Sequence, residues 1–301
     1  MPTQAPPRRI ALVVHPTRDV DGAIVAIERW AGAERLDVVQ LAVPGSTDRV
    51  LAPASEATDG DLLVALGGDG TVLAALRAAA AVDAPVLGVA CGSLGALSAV
   101  AMGDLAANLG RVSDGDWTPR ALPALAVEPE GAPAGWAVND VVIDRRGAGQ
   151  LVVDLTVGDE LYARMAGDGL IVATTTGSTA YSMAAGGPIL LPGTAAFVCT
   201  PLAMHGGSAP PVIVPADVTV TADVHPGFAG FELEIDGHER GTEALSYRIA
   251  LHERRLTLVS FAAGGRGVAG LRRRALITDS PRILARDARD GRPGPRPERA
   301  R

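Results

Sequence analysis

The chain has 301 residues, of which 48% are hydrophobic, so it has enough apolar material for two ordinary globular domains. Its formal net charge is −7 at pH 7, which argues against a nucleic-acid partner because proteins that bind nucleic acids present a basic face. All 27 cationic residues are arginine, which excludes the lysine-dependent chemistry of P-loop enzymes, protein kinases and Schiff-base enzymes. Phosphate charge must therefore be met by arginine, backbone N–H groups, helix ends or a metal ion. Because no apolar run approaches the ~20 residues of a bilayer crossing, we expect a soluble cytoplasmic protein with no membrane partner.

The first third of the chain alternates short apolar runs with helix-like stretches. The predicted strands are 9–15, 36–43, 61–66 and 85–90, and the predicted helices are 22–33 and about 71–82. This order is typical of a parallel sheet covered by helices on both faces. Ligands of such sheets bind at the carboxyl ends of the strands, where two glycine-rich turns fall in this sequence.

Strand patterns dominate after residue 120. The predicted strands are 122–127, 135–143, 151–157, 170–174, 218–224, 231–235, 247–251 and 256–261. The sequence thus predicts an α/β N-terminal domain with a parallel sheet (1–119) and a β-rich, antiparallel, sandwich-like C-terminal domain (120–264). We expect 265–285 to pack back on the first domain and the Pro-, Gly- and Arg-rich 286–301 to be a disordered tail.

The first glycine turn, Gly67-Gly68-Asp69-Gly70-Thr71, carries the clearest chemical signal. It joins a predicted strand to a predicted helix, and the free N–H groups of a helix N-terminus commonly bind phosphate. An acid there would repel phosphate unless it binds a metal carried by the phosphate or takes a proton from an attacking hydroxyl. The alternative, a glycine-rich hairpin turn, does not suit the strand and helix on either side.

A longer polar run extends from Gly167 to Pro188. A predicted strand leads into a hydroxyl-rich turn, 175–179, and then into a short helix. Serine and threonine side chains cap helices and can bind phosphates and ribose hydroxyls, and Tyr181 offers a ring on which a base could stack. An ordinary threonine-rich cap beside a core tyrosine would explain one such residue but not the whole run.

Asn139 and Asp140 interrupt an otherwise apolar stretch, 136–143. A buried polar pair must find partners, because each unsatisfied group costs ~1–3 kcal/mol. The pair therefore indicates either a ligand contact or a strand end that bonds its own backbone.

The order of these segments resembles the NAD kinase family, whose members phosphorylate the 2′-hydroxyl of the adenosine ribose of NAD to make NADP. The matching segments are 67–71, 92–95, 139–140, 168–188, 200–208, 211–215 and 236–237. The resemblance covers roughly residues 9–274. The run 168–188 is highly specific, whereas Gly-Gly-Asp-Gly is shared with lipid kinases and phosphofructokinases.

The resemblance implies a role for each matched site residue. Asp69 would be the catalytic residue, taking the proton of the ribose hydroxyl as it attacks the γ-phosphoryl group of ATP or of another donor such as polyphosphate. Mg²⁺ would supply positive charge, without a protein metal site. Gly68, Gly70 and Thr71 would hold phosphates. Residues implied to line the NAD pocket are Asn139, Asp140, Thr176, Thr179, Ala180 and Tyr181. Asp168 would reach into a neighbouring subunit's site, which implies a homodimer or homotetramer.

Three positions depart from the family pattern. Thr175 stands where the family usually has proline, Ala96 where it has an aromatic residue, and Pro210 where it has arginine. These departures motivate one alternative, a catalytically weak sensor that binds NAD(H) or NADP(H). A second alternative is a lipid kinase of the diacylglycerol type, which would share the glycine turn but leaves 168–188 unexplained.

Overall fold

The computed structural model describes residues 4–241, 244–261 and 267–290, with the main chain alone at 253–255. Strands and helices alternate in the first part of the chain. They are β1 (Arg9–Val14), α1 (Asp21–Glu34), β2 (Asp37–Leu41), β3 (Ala54–Ser55), β4 (Asp61–Gly67), α2 (Asp69–Ala79), β5 (Val86–Ala90), β6 (Val100–Ala101), a 3-10 turn at Met102–Asp104 and α3 (Leu105–Ser113). Strand β1 pairs in parallel with β2 and β4, and β4 pairs in parallel with β5. The predicted parallel sheet is therefore confirmed.

Helices cover both faces of the parallel strands. Successive residues of β1 point to opposite faces, so Ile10 and Leu12 pack with α1 and α3, whereas Ala11 and Val13 pack with α2. Helix α1 presents its buried side chains three or four residues apart, as an amphipathic helix does; they are Ala23, Ile24, Ile27, Trp30 and Ala31. This layered packing fixes α2 against the sheet, with its N-terminus at the carboxyl end of β4.

Strands dominate the rest of the chain. They are β7 (Thr118–Pro129), β8 (Gly135–Ala137), β9 (Asp140–Arg145), β10 (Leu151–Val157), β11 (Glu160–Gly167), β12 (Gly169–Ala173), β13 (Ala196–Leu202), β14 (Val212–Pro215), β15 (Val220–His225), β16 (Phe231–Ile235), β17 (His238–Arg240) and β18 (Ser246–Ser260). The helical segments are a 3-10 turn at Gly177–Thr179, α4 (Tyr181–Ala184), α5 (Val268–Arg273) and α6 (Pro281–Arg289).

Two sheets organise these strands. The larger follows the order β11-β10-β15-β18-β5-β4-β1-β2-β3, with β6 on β5, β7 on β18 and β8 on β7. The smaller is antiparallel and follows the order β14-β13-β12-β9-β16-β17. Side chains of both sheets share one core, including Leu125 and Ile249 from the larger and Leu170 and Phe197 from the smaller. The C-terminal part is thus the antiparallel sandwich that the sequence predicts, and β18 joins it to the parallel strands by pairing with β5.

The strand predicted at 135–143 is wrong as a single element. It divides into β8 and β9, which belong to different sheets, because the backbone N–H groups of Val138, Asn139 and Asp140 bond to the carboxylate of Asp236. The strands predicted at 247–251 and 256–261 are one strand, β18, with an irregular register between His252 and Leu256.

Helix α6 corrects part of the predicted disordered tail. Pro281 occupies its first turn, where the fixed φ of proline favours a helix. The prediction of disorder was therefore wrong for residues 286–289, while 291–301 lie outside the described residues.

None of the helices in the described part of the chain combines the length and apolar character that a membrane crossing needs.

Candidate active site

Three loops meet at the carboxyl edge of the parallel sheet, one after each of β1, β4 and β5. The backbone N–H of His15 donates to the carbonyl of Leu66 at 2.9 Å, and the N–H of Cys91 donates to the carbonyl of Gly67 at 2.9 Å. These bonds tie the first and third loops to the end of β4. The two glycine turns that the sequence places at strand ends are therefore adjacent in the fold.

Asp69 is the first residue of α2 and is held in place by the second glycine turn. Its Oδ2 accepts from the N–H of Ala96 at 2.9 Å, and its Oδ1 accepts from the N–H of Leu97 at 3.1 Å. A Cβ at Gly95 would lie 2.0 Å from Oδ1, so only glycine fits there. Because Ala96 contributes through its backbone, the missing aromatic side chain does not affect this anchor.

The remaining residues of the first glycine turn leave the helix N-terminus open. Gly67 is required, because a Cβ there would lie 2.1 Å from Oγ1 of the buried Thr71. Gly70 differs, since apart from its chain neighbours and the nearby backbone of α2 no described atom lies within 4 Å of the position that its Cβ would occupy. The first N–H groups of a helix lack intrahelical partners, and together with the helix dipole they make this surface suited to an anion.

Arg18 lies against both glycine turns, and it was not among the predicted site residues. Its Nη1 donates to the carbonyl of Cys91 at 2.9 Å. The guanidinium lies over both glycine turns, since a Cβ at Gly92 would be 2.8 Å from Nη1 and one at Gly68 would be 3.3 Å from Nη2. The Nδ1 of His15 accepts from the N–H of Arg18 at 3.3 Å. Burial, and next the charge of Arg18, lower the pKa of His15, which favours the neutral form that can accept this bond.

The C-terminal segment contributes a second arginine, Arg274, whose charge interacts with that of Asp69. Burial lowers the pKa of Arg274, and the carboxylate of Asp69 opposes that effect, so the two charges interact. Arg274 follows helix α5, whose Leu271 is buried. The absence of lysine points to arginine in general, but it does not single out Arg18 or Arg274 among the 27.

The described residues offer little to hold a metal by themselves. They include no group of three or more His, Cys, Asp or Glu side chains placed to bind one ion. Asp69 supplies a single carboxylate at the open helix N-terminus. This donor set fits Mg²⁺ that arrives with a phosphorylated ligand, because Mg²⁺ is usually held by one or two carboxylates together with substrate phosphates.

The predicted polar pair and the hydroxyl-rich turn come together at one end of the smaller sheet. Oγ1 of Thr174 donates to the carbonyl of Val138 at 2.6 Å, and the N–H of Thr174 donates to the carbonyl of Asn139 at 2.9 Å. A Cβ at Gly177 would lie 2.0 Å from the same Asn139 oxygen, so the turn packs directly against the pair. Asn139 and Thr176 therefore border the same part of the molecule.

Asp236 organises this region, although it was not among the predicted site residues. Its Oδ1 accepts from the N–H groups of Asn139 at 2.6 Å and Asp140 at 3.2 Å, and its Oδ2 accepts from that of Val138 at 3.0 Å. Nη2 of Arg77 also donates to Oδ2, at 2.8 Å. The alternative that the pair bonds only its own local backbone is therefore wrong, since the partner lies almost a hundred residues away.

Asp140 is buried among acidic groups. Burial, and then the charges of Asp236 and Glu234, raise its pKa to about 7. Tyr181 is 44% exposed, which leaves its ring accessible. Burial raises the pKa of Tyr181, and the charges of Asp144, Glu234, Asp168 and Asp140 add to the effect, in that order. Carboxylates from both ends of β9 therefore act on the tyrosine.

Of the other predicted pocket residues, Thr179 and Ala180 lie in the turn after β12, whereas Asp168 lies before that strand. Oγ1 of Thr179 donates to the carbonyl of Thr176 at 3.2 Å, and Ala180 is exposed beside Tyr181. Asp168 instead precedes β12, at the opposite end of that strand from Thr176. Its Oδ1 accepts from Nε of Arg145 at 2.5 Å. Within one chain, Asp168 therefore lies away from Thr176, although its charge contributes to the raised pKa of Tyr181.

A cavity of about 1050 Å³ lies apart from this site. Its lining includes Asp61, Pro85 and Trp117, at the edge of the larger sheet where β4 and β5 begin. It also includes Thr175 but none of the predicted site residues. Size alone thus does not locate the candidate site, which is defined by its polar groups.

Two family models match this chain, one in each half. Residues 22–117 match the model of the ATP-NAD kinase N-terminal domain, and residues 138–252 match that of the ATP-NAD kinase C-terminal domain. The NAD kinase of Symbiobacterium thermophilum is 37% identical over 222 residues, which cover 68% of this chain and 78% of the relative. The chain belongs to the ATP-NAD kinase family. This membership confirms the resemblance seen in the sequence.

Other members of the family match over different lengths. The NAD kinase of Porphyromonas gingivalis is 36% identical over 182 residues, 60% of this chain and 63% of that protein, so the match spans less than two thirds of the relative. The yeast NADH kinase, solved in complex with NADH, superposes with a TM-score of 0.79 at 22% identity, covering 92% of this chain and 90% of the yeast chain. The family fold is thus present over nearly the whole chain.

Proposed function

We propose that this protein is an NAD kinase, which transfers the γ-phosphoryl group of ATP, or of another donor, to the 2′-hydroxyl of the adenosine ribose of NAD. The observation that carries the proposal is Asp69, a carboxylate fixed at an open helix N-terminus by the N–H groups of Ala96 and Leu97. Membership of the ATP-NAD kinase family supports the same reaction.

Asp69 would act as the general base. The ribose oxygen attacks the γ-phosphorus, the bond between that phosphorus and the β–γ bridging oxygen breaks, and ADP leaves with the bond electrons. The hydroxyl proton passes to a carboxylate oxygen of Asp69, which keeps free lone pairs because each oxygen accepts one backbone N–H. The two fixed bonds orient the carboxylate before the substrates bind, and such positioning is a large part of phosphoryl-transfer catalysis.

Charge on the donor would be met by the groups around the first glycine turn. Gly68, Gly70 and Thr71 would offer backbone N–H groups to the phosphates, and Arg18 and Arg274 would offer guanidinium charge. Mg²⁺, held by the donor's phosphates and Asp69, would neutralise further negative charge on the phosphates. The chain's lack of lysine suits this arrangement, because arginine and backbone donors replace the lysine of other kinases.

NAD would lie against the surface that the Asn139-Asp140 pair and the turn after β12 form together. Asn139 and Asp140 would contact the dinucleotide, Thr176, Thr179 and Ala180 would line its pocket, and Tyr181 would offer a stacking surface. These last four are residues of one short segment that packs against the pair. We also propose a homo-oligomer, dimer or tetramer, in which Asp168 reaches the site of a neighbouring subunit.

A coupled assay tests the proposal. Purified protein is mixed with Mg²⁺, NAD and either ATP or polyphosphate, and NADP is detected through an NADP-specific dehydrogenase. NADP formation supports the kinase and identifies the donor. Binding of NAD without NADP from either donor would contradict the kinase and support the sensor that the departures at Thr175, Ala96 and Pro210 suggest.

A further inference from the structure

Helix α2 carries a second polar group that points toward the proposed NAD region. Asp69 begins the helix, and Arg77 follows roughly two turns later. Nη2 of Arg77 donates to Oδ2 of Asp236 at 2.8 Å and to the carbonyl of Ile235 at 3.3 Å. The guanidinium also lies 5.5 Å from the ring centroid of Trp136, at a distance that allows a cation–π contact.

The partner of Arg77 is a fully occupied carboxylate. The side chain of Asp236 is 0% exposed, and each of its oxygens accepts two bonds, three of the four from consecutive backbone N–H groups. Asp236 itself has a φ of +50°, a left-handed conformation that non-glycine residues seldom adopt. The N–H of Asp236 returns a bond to the carbonyl of Asp140 at 3.0 Å. Backbone and side chain thus hold the Asn139-Asp140 segment from both directions.

We propose that Arg77 and Asp236 are positioning residues that fix the Asn139-Asp140 pair relative to Asp69. One rigid helix bears the base at its start and Arg77 near its end, so the ion pair sets the distance between the two halves of the site. This inference rests on the proposed function, because it concerns how NAD, which carries the reacting hydroxyl, is held relative to Asp69. Neither residue needs to touch a substrate.

Electrostatics gives the pair a second consequence. Asp140 faces the carboxylates of Asp236 and Glu234, and its charge is also felt by Tyr181. Arg77 is the cation bonded to Asp236. Removing the guanidinium leaves Asp236 uncompensated in a buried place, which is costly. It also removes the positive charge that offsets the repulsion between Asp236 and a charged Asp140.

The test compares three variants with a matched control. Arg77→Met keeps the apolar stem over Trp136 but removes the charge, Arg77→Lys keeps the charge, and Asp236→Asn keeps the shape. Arg111→Met is the control, because Arg111 makes the same kinds of contact elsewhere: an ion pair with Asp116 at 2.7 Å and a place 4.9 Å from a ring centroid, that of Phe261.

We expect Arg77→Met and Asp236→Asn to raise KM for NAD about tenfold while KM for the phosphoryl donor stays unchanged. Arg77→Lys should lie between wild type and Arg77→Met. Arg111→Met should leave both constants unchanged. Equal KM for NAD in wild type and Arg77→Met would overturn the proposal. So would a fall in activity that is the same for NAD and for the donor and that follows only the fraction of folded protein.

A measurement without turnover separates this inference from the proposed function. The pH at which Asp140 titrates is followed through the pH dependence of urea unfolding in wild type and Arg77→Met. We expect the midpoint to move to higher pH in Arg77→Met, and an unchanged midpoint would overturn the electrostatic link. If wild type makes no NADP but the midpoint moves, the proposed function fails while the link between Arg77, Asp236 and Asp140 stands.

Discussion

Asp140 provides a quantitative test of the proposed NAD region, because its carboxyl group is buried where ionisation is unfavourable. Burial contributes most, and the charges of Asp236 and Glu234 add to it. Replacing Asp140 by asparagine keeps the size of the side chain and removes the ionisation. The variant should therefore differ from wild type in how its stability depends on pH.

The size of the effect follows from the pKa of the group. In the folded protein the pKa is about 7, against an ordinary value of 3.8. Because the folded value is the higher one, the contribution of Asp140 to stability is fully present below about pH 4 and is lost as the pH rises through 7. At 1.36 kcal/mol per pKa unit, wild type should lose roughly 3 kcal/mol relative to Asp140→Asn between pH 5 and pH 8.

Urea unfolding at pH 5 and pH 8 measures this difference. The free energy of unfolding of Asp140→Asn should rise relative to wild type at pH 8 but much less at pH 5. Asp159→Asn, in an exposed turn, serves as the control and should follow wild type at both values. Stability curves of Asp140→Asn and wild type that run parallel from pH 5 to pH 8 would refute the reasoning.

Two further predictions concern the glycine turns. Arg18→Met should raise KM for the phosphoryl donor roughly ten- to hundredfold and leave KM for NAD unchanged, because a lost charge-assisted hydrogen bond is worth ~1.5–3 kcal/mol. Arg49→Met, at an exposed ion pair, is the control. A higher KM for NAD alone would contradict the placement of Arg18. Gly95→Ala should lower kcat about a hundredfold, since its Cβ would displace the carboxylate of Asp69. Gly110→Ala, which adds a Cβ in open space, should keep wild-type kcat, and an unaffected Gly95→Ala enzyme would show that the carboxylate does not need this anchor.

Much of the fold could be predicted because local patterns decide it. The strand at 61–66 and the alternation around it identify the parallel sheet, and the strands at 151–157 and 231–235 match the structure residue for residue. Strands β11, β13 and β14 and helix α3 were not predicted. The division of 135–143 could not be foreseen, because it depends on a carboxylate that is distant in sequence.

The candidate site was likewise predictable only in part. Glycine turns and hydroxyl runs are visible in the sequence because their chemistry is local, and the fold brings Asp69 to the second glycine turn as their positions at strand ends suggest. Arg18, Arg77 and Arg274 could not be selected, because single arginines among 27 carry no pattern. Their relevance comes from long-range packing.

The most direct test of the central claim is NADP formation by Asp69→Asn compared with wild type, with NAD binding measured on the same samples by calorimetry. Asparagine keeps the shape of the side chain but cannot take the hydroxyl proton. The account predicts that turnover is almost abolished while NAD binds with nearly wild-type affinity. Substantial turnover in Asp69→Asn would contradict the assignment of Asp69 as the base.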